Sequence, residues 1–364
     1  MRWLGKVLFS LLLILPFTPV FSEYECVGKD CIAFDRKYSG FLNSFERDYL
    51  PLLARDIFRA QATTQVATIP YPITLNKFTF GISGTLAATE THQIGIYNPA
   101  QNQYKKMNEF GVAVNYNYYA GVNVGWLVTF WYSMYMDVFY CDFNFTKCDY
   151  NFEMPILSRL EIYVNGVGKT DSIKYNDFDT YYENRRQIGN RGYAIRYQVF
   201  QERRMFFDFL KLPGVSVGVG YQLTRIDFAK KLKDMKLGLQ VDELKYEWSG
   251  TNVVNYRSDI ETKYIDARTG IKVLDFITLY GGAGASASNG GVFMSFYRNG
   301  TYVVANEPTN IIVKMRQNYY EDAYMQKYLI AGLSISGFTL QGVSTYGKHT
   351  PKNYAVTIGF SATF

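Results

Sequence analysis

Histidine is nearly missing from this sequence: two, His92 and His349, stand in 364 residues. Both fall in loop-like stretches with no ligand set beside them, so surface histidines are expected rather than a metal site or an acid–base centre. Long hydrophobic runs are missing as well. The chain is 48% hydrophobic, yet its mean hydropathy is −0.13, so apolar residues are interleaved with polar ones. A polytopic helical membrane protein, which needs several runs of about 18 apolar residues, is excluded. No phosphate-cradling GxxxxGK[ST] loop is present. The glycine-rich Gly281-Gly282-Ala283-Gly284 lies on a strand pattern with no helix after it, which suits close packing better than anion binding. No nucleophile–base set can be read, which argues against a barrel lipase or protease. The chain is expected to be no enzyme and to hold no metal and no cofactor.

Charge of either sign is modest. The formal net charge of +6 falls to about +4 without Arg2 and Lys6, too little to suggest a nucleic-acid partner. Those two cations precede a mostly apolar stretch, Val7 to Leu15, broken by Pro16 and Pro19 and followed by Val20 and Ser22. That is the pattern of a cleavable secretory signal over residues 1–22, too short to span a bilayer. Four cysteines agree with export. Cys26 and Cys31 have four residues between them, Cys141 and Cys148 six, and neither pair has zinc-site spacing. Two local disulfides in an oxidising compartment are the expected use, with Cys141–Cys148 in an outer loop.

What is abundant is aromatic and alternating: 32 Tyr, 27 Phe and 30 Gly, a composition that favours strands. From Tyr354 to Phe364 the even positions read Tyr, Val, Ile, Phe, Ala, Phe, and the odd ones Ala, Thr, Gly, Ser, Thr. A period of two means a strand between two environments. The pattern recurs from Phe78 to Ala88, Tyr193 to Val199, Val215 to Thr224 and Leu329 to Ser336, where Ile330 breaks the polar face. Candidate strands run roughly 10–15 residues, where soluble strands average about 5–6 and membrane strands need about 9–11. Short turns such as Leu212-Pro213-Gly214 and Gly337 alternate with long polar stretches at 90–108, 229–255 and 289–322, an asymmetry typical of outer-membrane barrels. The last strand ends on Phe360 and Phe364, as in the insertion signal read by the barrel-assembly machinery. The pattern therefore predicts an all-β fold, a transmembrane antiparallel β-barrel of 12–14 strands facing outer-membrane lipid.

Twelve strands are expected near 76–89, 109–119, 123–140, 150–165, 190–203, 214–228, 236–248, 256–273, 276–288, 323–336, 338–347 and 353–364. The stretch Val122 to Tyr140 is apolar on both faces in places and suits a buried helix. Asn123, Thr129, Ser133 and Asp137 among so many aromatics favour a strand with a crowded inner face. Ahead of the barrel, Phe41, Leu42, Phe45, Tyr49, Leu52, Leu53, Ile57 and Phe58 recur at helical spacing, with Pro51 suited to a first helical turn. Residues 23–72 are thus expected to form a helical plug in the lumen or a periplasmic cap, and 73–364 the barrel.

Three stretches carry a family resemblance. YQVFQERRMFFDFLKLPGVSVGVGYQLTRIDF (197–228), FITLYGGAGASASNGG (276–291) and DYLPLLARDIFRAQATT with KFTFGISGTLA (48–64, 77–87) resemble units of the fatty-acid-transporter-like (FadL-like) outer-membrane barrels of Gram-negative bacteria and spirochaetes. The resemblance spans much of the chain at the level of pattern. It implies a roughly 14-strand barrel with an N-terminal plug that carries hydrophobic compounds across the outer membrane.

Some charges share the parity of the inner face: Arg196, Gln198 and Glu202 on one strand, Asp266, Arg268 and Lys272 on another. Charges cannot face lipid, so these are candidates for the lumen. Their role is either an internal salt-bridge network or a grip on an anionic head group, such as a carboxylate held by arginine. Passive uptake of small hydrophobic compounds is the expected function. The alternative is a surface adhesin whose long outer loops, with Tyr104, Lys105 and Lys106, bind host or matrix molecules.

Overall fold

In the computed structural model of the chain, the alternation read from the sequence becomes two faces of a closed wall. The structure describes residues 23–27, 31, 40, 43–70, 76–90, 92–98, 103–139, 155–177, 180–206, 209–241, 244–274, 276–304, 307–346 and 352–364. The secretory signal over residues 1–22 lies outside them. In chain order come β1 (Glu23–Val27), a π-helical turn (Phe45–Tyr49) leading into α1 (Leu50–Ala67), β2 (Phe78–Thr89), β3 (His92–Asn98), β4 (Gln103–Glu109), β5 (Val112–Asn123) and α2 (Val124–Phe139). Then follow β6 (Leu160–Asp177), β7 (Thr180–Phe200), β8 (Arg203–Phe206), β9 (Leu210–Leu212), β10 (Val215–Val241), β11 (Leu244–Val273), β12 (Ile277–Val304), β13 (Glu307–Ile335), β14 (Phe338–Tyr346) and β15 (Asn353–Thr363).

Strands β2, β5, β6, β7 and β10 to β15 pair antiparallel with their neighbours around a complete ring, β15 closing on β2. The all-β barrel class stands, but among the described residues the ring has ten strands, not 12–14. The physical reason lies in strand length. β10 to β13 run 27 to 30 residues each, and the stretch 236–248, read as a strand of its own, is the hairpin that joins β10 to β11. Strands β3 and β4 form a separate hairpin, so His92 sits on a strand and not in a loop.

The short-turn end of the ring carries the tight turns β11–β12 and β13–β14 together with the longer connections β5–β6 and β7–β10. There Ser336-Gly337 turns β13 into β14 with Gly337 at φ +92°, a left-handed conformation that glycine adopts without strain. The carboxyl end closes at the same end through Phe364 N–H to Phe78 C=O at 2.9 Å and Phe78 N–H to Phe364 C=O at 3.1 Å. At the opposite end the wall is uneven: tall on β6, β7 and β10 to β13, low on β14, β15, β2 and β5.

The stretch after Asn123 is a helix, α2, and not the expected strand. Asn123 itself caps it, its Oδ1 accepting from the Trp126 N–H at 2.9 Å, which satisfies a donor that the helix cannot. Since β5 arrives at the short-turn end, the connection to β6 leaves there too. Cys141 and Cys148 belong to that connection and lie outside the described residues. Cys26 lies on β1.

Outward side chains form the apolar belt. On β15, Tyr354, Val356, Ile358 and Phe360 are exposed, while Asn353, Ala355 and Thr357 between them are buried. The same holds for Phe78, Phe80, Ile82 and Leu86 on β2 against Thr79, Ser83, Thr85 and Ala87. No described helix is long and apolar enough to cross a membrane.

The interior is filled by α1. Every residue from Ala60 to Ala67 is buried, so the second half of this helix has no solvent face. Its run of Ala, Thr, Gln and Val fits because the interior of a small barrel admits a helix about 10 Å across only with short side chains. The inner wall adds tyrosines packed flat on glycines of the next strand: Tyr119 on Gly81, Tyr163 on Gly121, Tyr264 on Gly220, Tyr280 on Gly332 and Tyr328 on Gly284. A Cβ at any of those glycines would overlap the ring. Ile330, the break in the polar face, joins these tyrosines and α1 in the luminal core.

Candidate functional site

Helix α1 ends inside the barrel, and its terminal carbonyls have no partner in the helix. Side chains of the wall supply them. The Gln341 amide donates to the Ala67 carbonyl at 3.1 Å, Thr357 Oγ1 donates to the same oxygen at 2.8 Å, and Ser83 Oγ donates to the Thr68 carbonyl at 2.5 Å. Higher up, Gln65 Nε2 donates to the Ile260 carbonyl at 2.8 Å, and its Oε1 accepts from Thr262. Tyr256 donates to Gln61 Oε1 at 3.2 Å. The plug is thus held by hydrogen bonds worth about 0.5–1.5 kcal/mol each.

Beneath the plug end lie four of the six charged or polar candidates. Asp266 is 2% exposed and sits between two arginines that are themselves 2% and 1% exposed, Arg196 and Arg268. Arg196 Nη1 meets Asp266 Oδ1 at 2.7 Å and Arg268 Nη2 meets Oδ2 at 2.9 Å. Arg196 also donates to Ser216 at 2.9 Å, and Arg268 Nη1 to Gln341 Oε1 at 3.1 Å. Gln341 therefore links this cluster to the plug. Asp266 thus has two arginine partners. Gln198 is buried close by and donates to the Pro213 carbonyl at 2.8 Å. Glu202 and Lys272 are not with them. Glu202 follows the end of β7 and lies 4.0 Å from Lys211 and 3.9 Å from Lys272 at the half-exposed short-turn rim. With Asp266 shared by both arginines, the buried cluster resembles a brace rather than an open grip for a head group.

A second feature was invisible in the sequence. Strand β5 pairs with β6 only from Tyr118 to Asn123, so the ladder stops at Tyr118 and Gly166 and residues 112–117 have no ladder partner on β6. The outward side chains along this seam include exposed Val112 and Val114. Behind it, Asn190 of β7 donates to Asn115 Oδ1 at 2.9 Å and Asn117 Oδ1 at 2.8 Å, and its own Oδ1 accepts from Thr224 at 3.2 Å. Asn115 Nδ2 in turn donates to Thr68 Oγ1 at 3.1 Å, just past the end of the plug. One latch of side chains therefore touches both the seam and the plug. No short-range pattern reveals it, since its members lie on three strands and a helix end.

Above the plug's midpoint the lining turns aromatic and charged. Phe58 packs edge-on to Tyr319 and Tyr324 with ring centroids 5.8 and 6.0 Å apart. Arg59 lies over the Tyr324 ring at 5.4 Å, and Asp56 is flanked by Arg55 and Arg59 at 3.2 and 3.8 Å. Burial pushes the Tyr256 hydroxyl up to about 12. Burial, then the neighbouring Glu321, pushes Tyr319 higher still. Both tyrosines stay neutral donors at physiological pH. Among the described residues no group of His, Cys, Asp and Glu could hold a metal ion.

Solved structures similar to the chain include the outer-membrane protease OmpT from Escherichia coli, 13% identical, covering 80% of this chain and 98% of that one at a TM-score of 0.33. The translocator domain of the autotransporter NalP from Neisseria meningitidis is 7% identical, covering 86% and 100% at 0.28. The toluene transporter TodX from Pseudomonas putida is 9% identical, covering 86% and 93% at 0.19. At such TM-scores the barrel described above is read from its own strand pairing. No curated protein matches the chain in sequence. A family model described as Lsa36-like matches residues 21–364.

Proposed function

The chain belongs to the Lsa36-like family, and on the geometry of its barrel we propose that it resides in the outer membrane and passes small hydrophobic compounds through the side of its wall. The observation that carries this reading is the stretch of β5 that pairs with β2 but has no ladder partner on β6, backed by a latch that also touches the plug. A ten-strand lumen occupied by a helix leaves no straight path for a solute. The buried Arg196–Asp266–Arg268 cluster would also repel an apolar molecule from the lower lumen. A route from the tall-walled end, past Phe58 and out through the seam into the bilayer, avoids both obstacles. Opening it requires breaking a few neutral hydrogen bonds, roughly 1 kcal/mol each.

In this reading residues 1–22 direct export, the helical segment within 23–72 is the plug, and 73–364 is the barrel. The end that carries the C-terminus faces the periplasm, and the wall of β10 to β13, which rises well beyond the hydrocarbon span, faces outward. Phe360 and Phe364 serve recognition by the assembly machinery. Cys26 with Cys31, and Cys141 with Cys148, form local disulfides. The buried charges Arg196, Asp266 and Arg268 brace the lumen.

The test is uptake of a labelled fatty acid into liposomes carrying the protein. Cross-linking an Asn117→Cys/Asn190→Cys variant should lower uptake to the level of empty liposomes, and reduction should restore it. Uptake that ignores the cross-link, or wild-type protein no better than empty liposomes, rejects lateral passage.

The tall wall favours a second reading. Strands of 27 to 30 residues on β10 to β13 exceed by far the 9–11 or so that a bilayer requires. Such a wall suits a surface-exposed binder of host or matrix molecules. Retained binding to an immobilised matrix protein after deletion of the β10–β11 hairpin tip, residues 232–250, would reject a binding site there.

A further inference from the structure

Neighbouring strands β7, β10, β11 and β12 carry their outward side chains in common rows. Near the short-turn end these rows are apolar: Ile195 faces Val219, and Val219 faces Ile265. Next comes an aromatic level, where Tyr193 stacks on Tyr221 with centroids 5.3 Å apart. Lys263 continues this row on β11, and Arg191 and Arg225 stand above it. Arg191 is the tenth residue of β7 counted back from Phe200, Arg225 the eleventh of β10, and Lys263 the eleventh of β11 counted back from Val273. A tilted membrane strand spans the hydrocarbon in about 9–11 residues, so the cations begin where that span ends.

At that level the wall is hollowed. A depression of about 650 Å³ is lined by three arginines, Arg191, Arg225 and Arg257, two carboxylates, Asp259 and Glu261, and the aromatic Tyr221, Phe293 and Tyr320. Its floor is Gly290-Gly291, where Gly290 has φ +131° and the β12–β13 register shifts between Ser288 and Gly290. Two glycines in the middle of a long strand leave the concavity that side chains would fill. The cations are not equally occupied. Arg225 Nε holds Asp259 Oδ2 at 2.8 Å and Lys263 holds Glu261 at 3.2 Å. Asp227 lies across the ladder from Arg257. Arg191 and Arg257 make no ion pair among the described residues, and both are exposed.

We propose that this hollow is a binding site for a phosphorylated lipid of the outer leaflet, with Arg191 and Arg257 gripping the phosphate. This rests on the outer-membrane reading given above. Arginine suits the task because its planar fork meets phosphate oxygens in pairs. Tyr221, Tyr320 and Phe293 give the head group an amphipathic border, as aromatic girdles do at membrane interfaces. The acyl chains descend along Tyr193, Val219 and Ile265 into the hydrocarbon. The occupant is a lipid because the cations adjoin the apolar belt, and its charge is set by the two arginines that make no ion pair among the described residues, the lining carboxylates Asp259 and Glu261 being held by Arg225 and Lys263.

The test uses the full chain in phosphatidylcholine vesicles doped with diphosphoryl lipid A or with its dephosphorylated form, followed by native mass spectrometry of lipids retained on extraction. Diphosphoryl lipid A should be retained at least about tenfold more strongly, the margin expected of charge-assisted arginine contacts. Arg191→Ser/Arg257→Ser should lose that preference, while Lys272→Ser at the opposite rim should keep it. Heat-modifiable migration should be unchanged in both variants, which separates loss of the site from loss of the fold. Equal retention of the two lipids overturns the proposal. So does a preference that survives the double substitution, or one abolished by inorganic phosphate alone. A chain that never enters the vesicles strikes down the membrane reading itself, an outcome distinct from insertion without lipid preference.

Discussion

Asp266→Ala is expected to cost the folded barrel about 3–5 kcal/mol, the penalty of leaving a buried charge without its partner. The expectation rests on the arrangement of the site. Arg196 and Arg268 lie within 2.9 Å of the two carboxylate oxygens, and all three side chains are nearly inaccessible. Without Asp266, two guanidinium groups share a dry interior with no counter-charge between them. The effect reaches the plug, because Arg268 and Tyr280 both donate to Gln341 Oε1 while the Gln341 amide holds the last carbonyl of α1. Urea unfolding in detergent micelles, followed by heat-modifiable migration, measures it. A triple variant, Arg196→Met/Asp266→Leu/Arg268→Met, should recover most of the loss, since apolar residues of similar volume commonly replace a buried ion cluster at little cost. An unchanged midpoint for Asp266→Ala would mean that water reaches the cluster and that the lumen is not sealed there.

Substitution on the outer face tests the opposite environment. Ile358 lies midway along β15 with its side chain 54% exposed. In a lipid belt, Ile358→Arg should destabilise the vesicle-inserted barrel by about 2–4 kcal/mol, and Tyr354→Arg, near the strand end, by about 0–1 kcal/mol. The contrast arises because a bilayer penalises charge according to depth, whereas water beside an exposed isoleucine would accept arginine at either position. Equal and negligible effects at both sites would place water, not hydrocarbon, against this face.

Much of this architecture can be read in the sequence, because alternation is a local signal. Tyr354, Val356, Ile358 and Phe360 announce one environment and their neighbours another, and that information survives folding unchanged. Even the exception at Ile330 marks a real contact, its packing in the core around α1. The misreadings share a cause. The ring has fewer strands than the pattern predicts because a long β-ladder changes composition along its length, and the change looks like a turn. Helix α2 carries the Trp, Tyr and Phe content of a strand, and the single residue that betrays the helix is the capping Asn123. The charged candidates divide by distance from the strand end: Arg196, Gln198, Asp266 and Arg268 are deep enough to be buried, while Glu202 and Lys272 reach the rim. The Asn115–Asn117–Asn190 latch depends on which strands become neighbours in the closed ring, and no window of sequence contains that.

The claim on which the account turns is that successive side chains of one strand face lipid and lumen by turns. Single cysteines placed from Tyr354 to Gly359, spin-labelled in reconstituted vesicles, test it most directly by collision with oxygen, which concentrates in hydrocarbon, and with a water-soluble nickel chelate. Labels at Tyr354, Val356 and Ile358 should meet oxygen and not the chelate, while those at Ala355 and Thr357, sheltered against the plug, should meet neither freely. Equal access of the chelate to both sets would contradict the membrane barrel.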